Sequence, residues 1–209
     1  GDTPIPEAIV PPDLPTALSA SYRKPYLMHG SMAPSAALAH FTDADHLSVW
    51  SHTQGAYPLR SALADVLAMD QENIQVTHAP GPGCYGHNGA EDAALDAALV
   101  ARALVGRPVL LKWERDDEHA WEPFGSAMRM ELQAGLDGGG KIAYWSHDSY
   151  SNTQVARPNG HGDVSQLMPA WYLEKPVPAP KKTPSRGPHA GIHRNADPIY
   201  SLPNKRIVK

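Results

Sequence analysis

The first half of the chain alternates between two apolar patterns that predict strands and a helix. Residues 46–50 place every second side chain on one face, which is typical of a half-buried strand. Residues 57–69 repeat at helical spacing and carry Pro58 where a first helical turn accepts it. Residues 73–78 have the length of another short strand. The apolar positions behind these predictions are Leu47, Val49, Leu59, Leu63, Val66 and Leu67.

A long helix and three further strands are predicted after residue 80. Residues 88–105 are rich in alanine and are followed by Gly106, a residue that commonly ends helices. Residues 109–113 are almost continuously apolar, which predicts a strand covered on both faces. Residues 128–136 and 141–148 flank a glycine-rich turn and predict a hairpin with one buried face. A stripe of small side chains suits the long helix to close packing on a sheet: Ala94, Ala98, Ala101 and Val105.

Together these elements predict an α+β fold, with a mixed β-sheet, two main helices and a C-terminal hairpin. Prolines set the expected boundaries, because they concentrate at the two ends. Residues 1–15 are expected to form an extended arm, and residues 16–150 the α+β domain. Residues 151–209 are expected to run as a proline-rich extended segment that packs on a partner outside this chain.

Composition limits the classes of partner. The formal net charge is −4 and no basic stripe is present, so nucleic acid is not an expected ligand. The mixed charge run 114–118 is expected to be a solvated helix start. A single cysteine, Cys84, excludes an internal disulfide and a multi-cysteine metal site. The chain contains no apolar run long enough for a membrane span and no recognisable signal peptide.

The most informative segment is the glycine-rich turn, residues 81–86, with the sequence Gly-Pro-Gly-Cys-Tyr-Gly. It lies between a predicted strand and the long helix, where glycines and helix amides favour an anionic ligand. The spacing also satisfies the G-x-G-x-x-G pattern of dinucleotide sites. Two features argue against a dinucleotide site. Pro82 removes a backbone N–H between the first two glycines, and no acidic residue follows the turn at the distance that such sites require. A purely structural turn without a ligand is a further alternative.

Two other kinds of site are conceivable near this turn. His87 and Glu91 are one helical turn apart, but no second ligand pair accompanies them, so protein-ligated zinc is not supported. Cys84 and His87 could form a nucleophile–base pair, but no third orienting residue is identifiable.

Several segments carry a resemblance to a known family. Residues 26–35, 47–55, 81–92 and 106–109 occur in one order that resembles the molybdopterin-binding large subunit of the xanthine dehydrogenase and aldehyde oxidase family. Residues 86–94 and 118–123 resemble the bacterial branch of isoquinoline 1-oxidoreductase and nicotinate dehydrogenase. The likeness spans residues 18–209 and corresponds to the N-terminal part of the cofactor-binding region.

The resemblance implies oxidation of an aldehyde or N-heterocycle with oxygen taken from water. The implied cofactor is molybdenum-molybdopterin, either in that form or as its cytosine dinucleotide. Electrons would leave through iron–sulfur clusters on a partner subunit and, in this branch, through haem c on a cytochrome subunit. The bacterial periplasm, or the periplasmic face of a membrane, is the location that the resemblance favours over the cytoplasm.

The resemblance also assigns roles to individual residues. It implies that Gln54 lies near the molybdenum oxo ligand, and that the amides of the glycine-rich turn approach the cofactor at Gly83, Cys84, Tyr85 and Gly86. The turn departs from the common family form, which has glycines followed by Phe-Gly, and many relatives carry Glu at the position of Ala33. No catalytic residue is expected in this chain, because the family's arginine and its glutamate base lie in later parts of the large subunit. The chain alone is therefore expected to be inactive. The rival hypothesis is a truncated or degenerate module that mediates subunit assembly.

Overall fold

A computed structural model describes residues 14–152, 158, 162–181 and 191–209, so the expected N-terminal arm lies almost entirely outside the described residues. The strands are β1 Thr16–Lys24, β2 Ala36–Phe41, β3 Leu47–Ser51, β4 Ile74–His78, β5 Val109–Lys112, β6 Met128–Leu136, β7 Ile142–Ser151 and β8 Lys205–Val208. The α-helices are α1 Ala56–Leu67, α2 Ala90–Arg102 and α3 Arg115–Trp121. No helix within these residues is long and apolar enough to cross a membrane.

The chain forms two compact units, each with its own mixed sheet. The hairpin unit contains residues 14–27, 126–152 and 191–209, and the helical unit contains residues 28–125, 158 and 162–181. The α+β class is confirmed, and the strands divide between two sheets.

The hairpin unit has the strand order β1-β6-β7-β8, in which only the β7–β8 pair is parallel. The predicted hairpin is confirmed as β6 and β7. Its turn is closed by the side chain of Asp137, which accepts the backbone N–H groups of Gly139 and Lys141, each at 2.9 Å. The covered face is not the one that the sequence pattern predicted. Buried Tyr144, Ser146 and Asp148 pair with the β6 positions between the apolar ones. The alternating apolar side chains of β6 are only half-buried: Met128, Met130, Leu132, Ala134 and Leu136.

The helical unit has the strand order β4-β3-β2-β5. Strands β3 and β4 are parallel and α1 connects them, as a crossover between parallel strands requires. The predicted strand and helix over residues 46–69 are therefore confirmed. The core of the unit consists of side chains from α1, α2 and the sheet, including Ala39, Phe41, Leu47, Val49, Leu59, Leu63, Leu67, Ala94, Leu95, Ala98 and Ala101.

Helix α2 is shorter than the sequence pattern predicted at both ends. Its small-residue stripe does pack in the core, where Ala94, Ala98 and Ala101 are fully buried, but Val105 lies beyond the helix and is 49% exposed. Gly106 adopts a φ of +82° after the last turn. Its N–H donates to the carbonyl of Phe41 at 2.7 Å, which directs the chain back to the sheet.

Two further expectations are wrong. Strand β5 is not covered on both faces. Leu110 is 73% exposed because it lies, with Leu38 and Trp50, on the face of the sheet opposite the buried core. The charge run 114–118 does begin a helix, but it is not solvated throughout, because Glu118 is fully buried.

Part of the proline-rich segment packs on its own chain. Short 3-10 helices at Val164–Gln166 and Met168–Tyr172 cover the helical core through Leu167 and Ala170, both fully buried. The packing of residues 151–209 on a partner stays a prediction.

Candidate functional site

Three loops of the helical unit meet at the glycine-rich turn. They are the loop before β2 (residues 28–35), the loop after β3 (residues 52–55) and the loop before α2 (residues 79–89). The first and third are joined by the N–H of Met32, which donates to the carbonyl of Pro82 at 3.2 Å. The second and third are joined by Ser51, whose carbonyl accepts from Ala79 at 2.9 Å and whose hydroxyl donates to the carbonyl of Ala90 at 3.1 Å.

The turn adopts a backbone that ordinary residues rarely accept. Gly83 and Gly86 have φ values of +90° and +147°, and Tyr85 has a φ of +53° despite its side chain. Gly83, Tyr85 and Gly86 are exposed, whereas Cys84 is half-buried and its S–H donates to the carbonyl of Gly86 at 3.0 Å. Four of the predicted cofactor-binding residues, Gly83–Gly86, therefore form one segment that is exposed except at Cys84.

Two histidine rings support the turn from behind. A Cβ atom added to Gly81 would lie 2.4 Å from Cβ of His52, and one added to Gly86 would lie 2.0 Å from Cδ2 of His29. The backbone of the turn thus lies directly against both imidazole side chains, and only glycine permits that approach.

Gln54 follows the end of β3, and its side chain is exposed. Its backbone is held on both sides through buried Thr53, whose hydroxyl donates to Glu91 at 2.6 Å and accepts the N–H of Gly55 at 3.0 Å. The ring of His78 adds a contact of 2.8 Å to the carbonyl of Thr53. Gln54 therefore has a fixed main chain and a side chain directed away from the core. It lies two residues after His52, whose ring packs against the turn.

Two buried carboxylates, one on α3 and one at its end, hold the loop before β2, and neither was predicted from the sequence. The carboxylate of Glu118 accepts hydrogen bonds from the N–H of Ser35 at 2.6 Å and from the hydroxyl of Ser35 at 3.1 Å. It also accepts the N–H of Gly89 at 3.3 Å. Glu122 accepts the N–H of His29. The only signal in the sequence is their spacing of four residues, which places two acidic side chains on one side of a helix.

The same helix carries a cation that contacts this loop. Arg115 donates to the carbonyls of Ser31 and Met32, each at 2.9 Å. Three buried polar atoms in this region have no hydrogen-bond partner within the part of the chain that the structure describes: Nδ1 of His29, Oγ of Ser31 and Oε2 of Glu122. Buried polar atoms are normally paired, so these three atoms are exceptions beside the hydrogen bonds that hold this loop to α3 and to the residue that follows it.

A third buried acid lies on α2. Burial raises the pKa of Asp92 to about 8, and the nearby charges of Glu91, Asp96 and Glu118 act in the same direction. The N–H of Met168, which donates to Asp92 at 2.8 Å, opposes the shift without reversing it. Asp92 is therefore protonated at neutral pH and attaches a 3-10 helix to α2.

The side chains that could have supplied metal or nucleophilic chemistry make other contacts. Nδ1 of His87 lies 2.7 Å from the carbonyl of Asn88, and Glu91 accepts the hydroxyl of Thr53. Over the described ranges, no three His, Cys, Asp or Glu side chains are grouped so that they could hold a metal ion.

Comparisons with known proteins agree on one family. A family model described as a molybdopterin cofactor-binding domain matches residues 13–170. A nicotinate dehydrogenase subunit of Pseudomonas putida is 41% identical over 162 residues, which cover 78% of this chain and 13% of the relative. The aldehyde oxidoreductase molybdenum-binding subunit PaoC of Escherichia coli K12 is 33% identical over 153 residues, covering 72% of this chain and 21% of that protein.

Solved structures share the fold at low identity. Quinoline 2-oxidoreductase from Pseudomonas putida 86 superposes with a TM-score of 0.59 at 19% identity, covering 71% of this chain and 19% of that one. Aldehyde oxidoreductase from Desulfovibrio gigas gives a TM-score of 0.56 at 15% identity, covering 73% of this chain and 16% of that one. The chain thus spans about a fifth or less of the length of these relatives.

Proposed function

The chain belongs to the molybdopterin cofactor-binding domain family, and from this premise we propose that its glycine-rich turn and Gln54 form part of the cofactor site of a molybdenum hydroxylase. The observation that carries the proposal is the convergence of three loops on one exposed, glycine-rich segment. The side chains of that segment are uncharged, and Gln54 lies two residues after His52, whose ring packs against the segment.

The residues present suit this cofactor. Exposed backbone amides and the Gln54 carboxamide are neutral hydrogen-bond donors, which stabilise anionic oxo and phosphate groups without an ion pair. The glycines at positions 81 and 86 let the main chain lie where a Cβ would collide with His52 or His29.

In this proposal Gln54 donates a hydrogen bond at the metal centre, and the turn holds the cofactor through the amides of Gly83–Gly86. When bound, the molybdenum centre supplies two-electron oxidation of a substrate with oxygen derived from water. The three-loop arrangement keeps these donors in place, because Thr53, Glu118 and Glu122 fix the surrounding main chain from the interior.

The remainder of the catalytic machinery lies outside this chain in our proposal. The relatives are several times longer, and the expected general base and substrate-orienting arginine belong to the rest of the large subunit. We place iron–sulfur clusters and a c-type haem on partner subunits, and the assembled enzyme in the periplasm. Aldehydes and N-heterocycles are the proposed substrates.

Metal and pterin analysis of the intact complex tests this proposal. We expect about one molybdenum and one pterin per copy of this chain, and incorporation of labelled oxygen from water into product. If the purified complex is folded and active but contains neither molybdenum nor pterin, the proposed cofactor site is refuted. That result would favour the rival role in subunit assembly.

A further inference from the structure

Asn88 is a buried amide directly behind the glycine-rich turn, with an exposure of 1%. Its Nδ2 donates to the carbonyl of Gly83 at 3.0 Å, and its Oδ1 accepts the N–H of Ala90 at 3.3 Å. These two contacts fix the orientation of the amide. The reverse orientation would place two oxygens together at Gly83 and two donors together at Ala90.

The same amide reaches a neighbouring histidine. Nδ2 of Asn88 lies 3.3 Å from Nδ1 of His52, and the N–H of Ala36 lies 3.3 Å from Nε2 of that ring. The NH₂ group carries two hydrogens, so Asn88 can donate to Gly83 and still face His52. A neutral imidazole has one accepting nitrogen, so the ring accepts from either Asn88 or Ala36 at a given moment. The hydrogen bond from Asn88 to Gly83 is the same whether His52 accepts from Asn88 or from Ala36.

The contact to Gly83 sets the direction of a peptide plane. In a trans peptide the C=O and the following N–H point in opposite directions. With the Gly83 carbonyl held towards buried Asn88, the N–H of Cys84 is directed away from Asn88. The preceding plane is set in the same manner, because the Pro82 carbonyl accepts from Met32 at 3.2 Å and the N–H of Gly83 therefore points away from Met32.

The orientation of the peptide plane between Gly83 and Cys84 has to be fixed by a contact from outside the turn. Gly83 has a φ of +90°, and glycine accepts positive and negative φ about equally, so its own sterics do not fix the following peptide. Rotation of that plane would replace an outward N–H with a carbonyl oxygen. A carbonyl oxygen repels the anionic groups that an N–H attracts.

We propose that Asn88 is a positioning residue of the cofactor site, which holds the Gly83 carbonyl inward so that the turn presents N–H groups to an anionic oxo or phosphate group of the cofactor. This inference rests on the proposed function. Asn88 acts through the main chain of the turn and does not itself touch the ligand.

The variant Asn88→Asp in the full-length protein, purified with its partner subunits, tests the inference. The substitution keeps the shape and the acceptor for Ala90, but it places a carboxylate at a position that is 1% exposed. A purely structural role therefore predicts a lower melting temperature with wild-type cofactor content in the protein that remains folded. The carboxylate has no N–H for Gly83 and repels its carbonyl. We expect molybdenum and pterin per polypeptide to fall at least about fivefold, consistent with loss of one buried hydrogen bond and added repulsion. The Mo(V) EPR signal of the remaining cofactor should also change.

Two further variants keep the result interpretable. Asn88→Ser is uncharged and can still accept the N–H of Ala90, but its hydroxyl is too short to reach Gly83. We expect the same direction of change from this variant if Asn88→Asp does not fold. Asn204→Asp is the control for the change of side chain, because it removes a bond of the same kind, from Nδ2 to the carbonyl of Ala143 at 2.9 Å, at an exposed position of the hairpin unit.

Wild-type cofactor content and an unchanged EPR signal in folded Asn88→Asp or Asn88→Ser protein would overturn the positioning role while leaving the proposed function intact. An equal loss in Asn204→Asp would also overturn it. Absence of molybdenum and pterin from the wild-type complex would overturn the proposed function, and this inference with it.

Discussion

The carboxylate of Glu118 accepts the backbone N–H of Ser35 at 2.6 Å, although 83 residues separate the two in the sequence. The same carboxylate accepts the N–H of Gly89, so one buried side chain links α3 to the start of β2 and to the loop that contains the glycine-rich turn. Glu118 therefore couples the stability of this unit to the geometry of its exposed turn.

Replacing Glu118 with glutamine should destabilise the protein by about 1–3 kcal/mol, because one amide NH₂ would then face a donor and leave it unsatisfied. Urea unfolding followed by circular dichroism measures the change. Asp116→Asn is the matched control on the same helix. Asp116 is exposed, so its replacement should cost less than about 1 kcal/mol. Equal midpoints for Glu118→Gln and wild type would show that the buried contacts do not contribute to stability.

Local periodicity predicted the elements whose burial follows from their own sequence. Leu47 and Val49 alternate in a strand that is buried on one face, and the β6–β7 hairpin follows from alternation around a glycine turn. The exposure of Leu110 did not follow, because packing of the helices decides which face of a sheet is covered and the composition of one strand does not. The burial of Glu118 could not be predicted from the sequence either, because the N–H groups that it accepts lie on loops distant in the sequence.

In the candidate site, too, one part could be predicted from the sequence and another part could not. The exposed glycine-rich turn was recognisable from its sequence and from its ordered neighbours, and the family assignment is confirmed. The support behind the turn was not recognisable, because Asn88, His52 and Glu122 are polar residues whose partners become neighbours only in the fold. The placement of Gln54 and Gly83–Gly86 against a cofactor stays a prediction.

Adding one methyl group at Gly89 should disrupt packing behind the turn. Its φ of −84° is ordinary, so alanine introduces no backbone strain, but the new Cβ would lie 2.1 Å from Cζ3 of Trp113. That ring is buried and its Nε1 donates to Asp96 at 3.2 Å, which limits its movement. We expect a loss of about 1–3 kcal/mol in unfolding free energy. Gly138→Ala, where no atom lies within 4 Å of the added Cβ, should be close to wild type in the same thermal or urea experiment.

Asp92 predicts a pH dependence of stability. Burial raises its pKa in the folded chain to about 8, so between about pH 4 and pH 8 the folded state binds a proton that the unfolded state has released. Stability from this group is therefore fully present below pH 4, and it decreases as pH rises towards 8.

The variant Asp92→Asn isolates this effect, because its amide oxygen can still accept from Met168 and has no charge to bury. The difference in unfolding free energy between variant and wild type should grow in favour of the variant by up to about 1.4 kcal/mol per pH unit across this window. Urea midpoints measured from pH 5 to pH 9 give the comparison. Parallel pH profiles would contradict the raised pKa.

Gln54→Ala should reduce turnover in the assembled complex without reducing stability. The side chain is exposed, while its main chain is held through Thr53 and the buried Glu91, so removal of the carboxamide leaves these contacts in place. A donor at a centre where negative charge develops contributes strongly to rate, and we expect kcat per molybdenum to fall at least about tenfold. Gln75→Ala removes a carboxamide that is also exposed, from β4, and should leave kcat unchanged. Steady-state assays normalised to molybdenum content separate loss of turnover from loss of cofactor. Unchanged kinetics in Gln54→Ala would refute the placement of this residue at the metal, whereas an equal decrease in Gln75→Ala would point to a general effect on the complex.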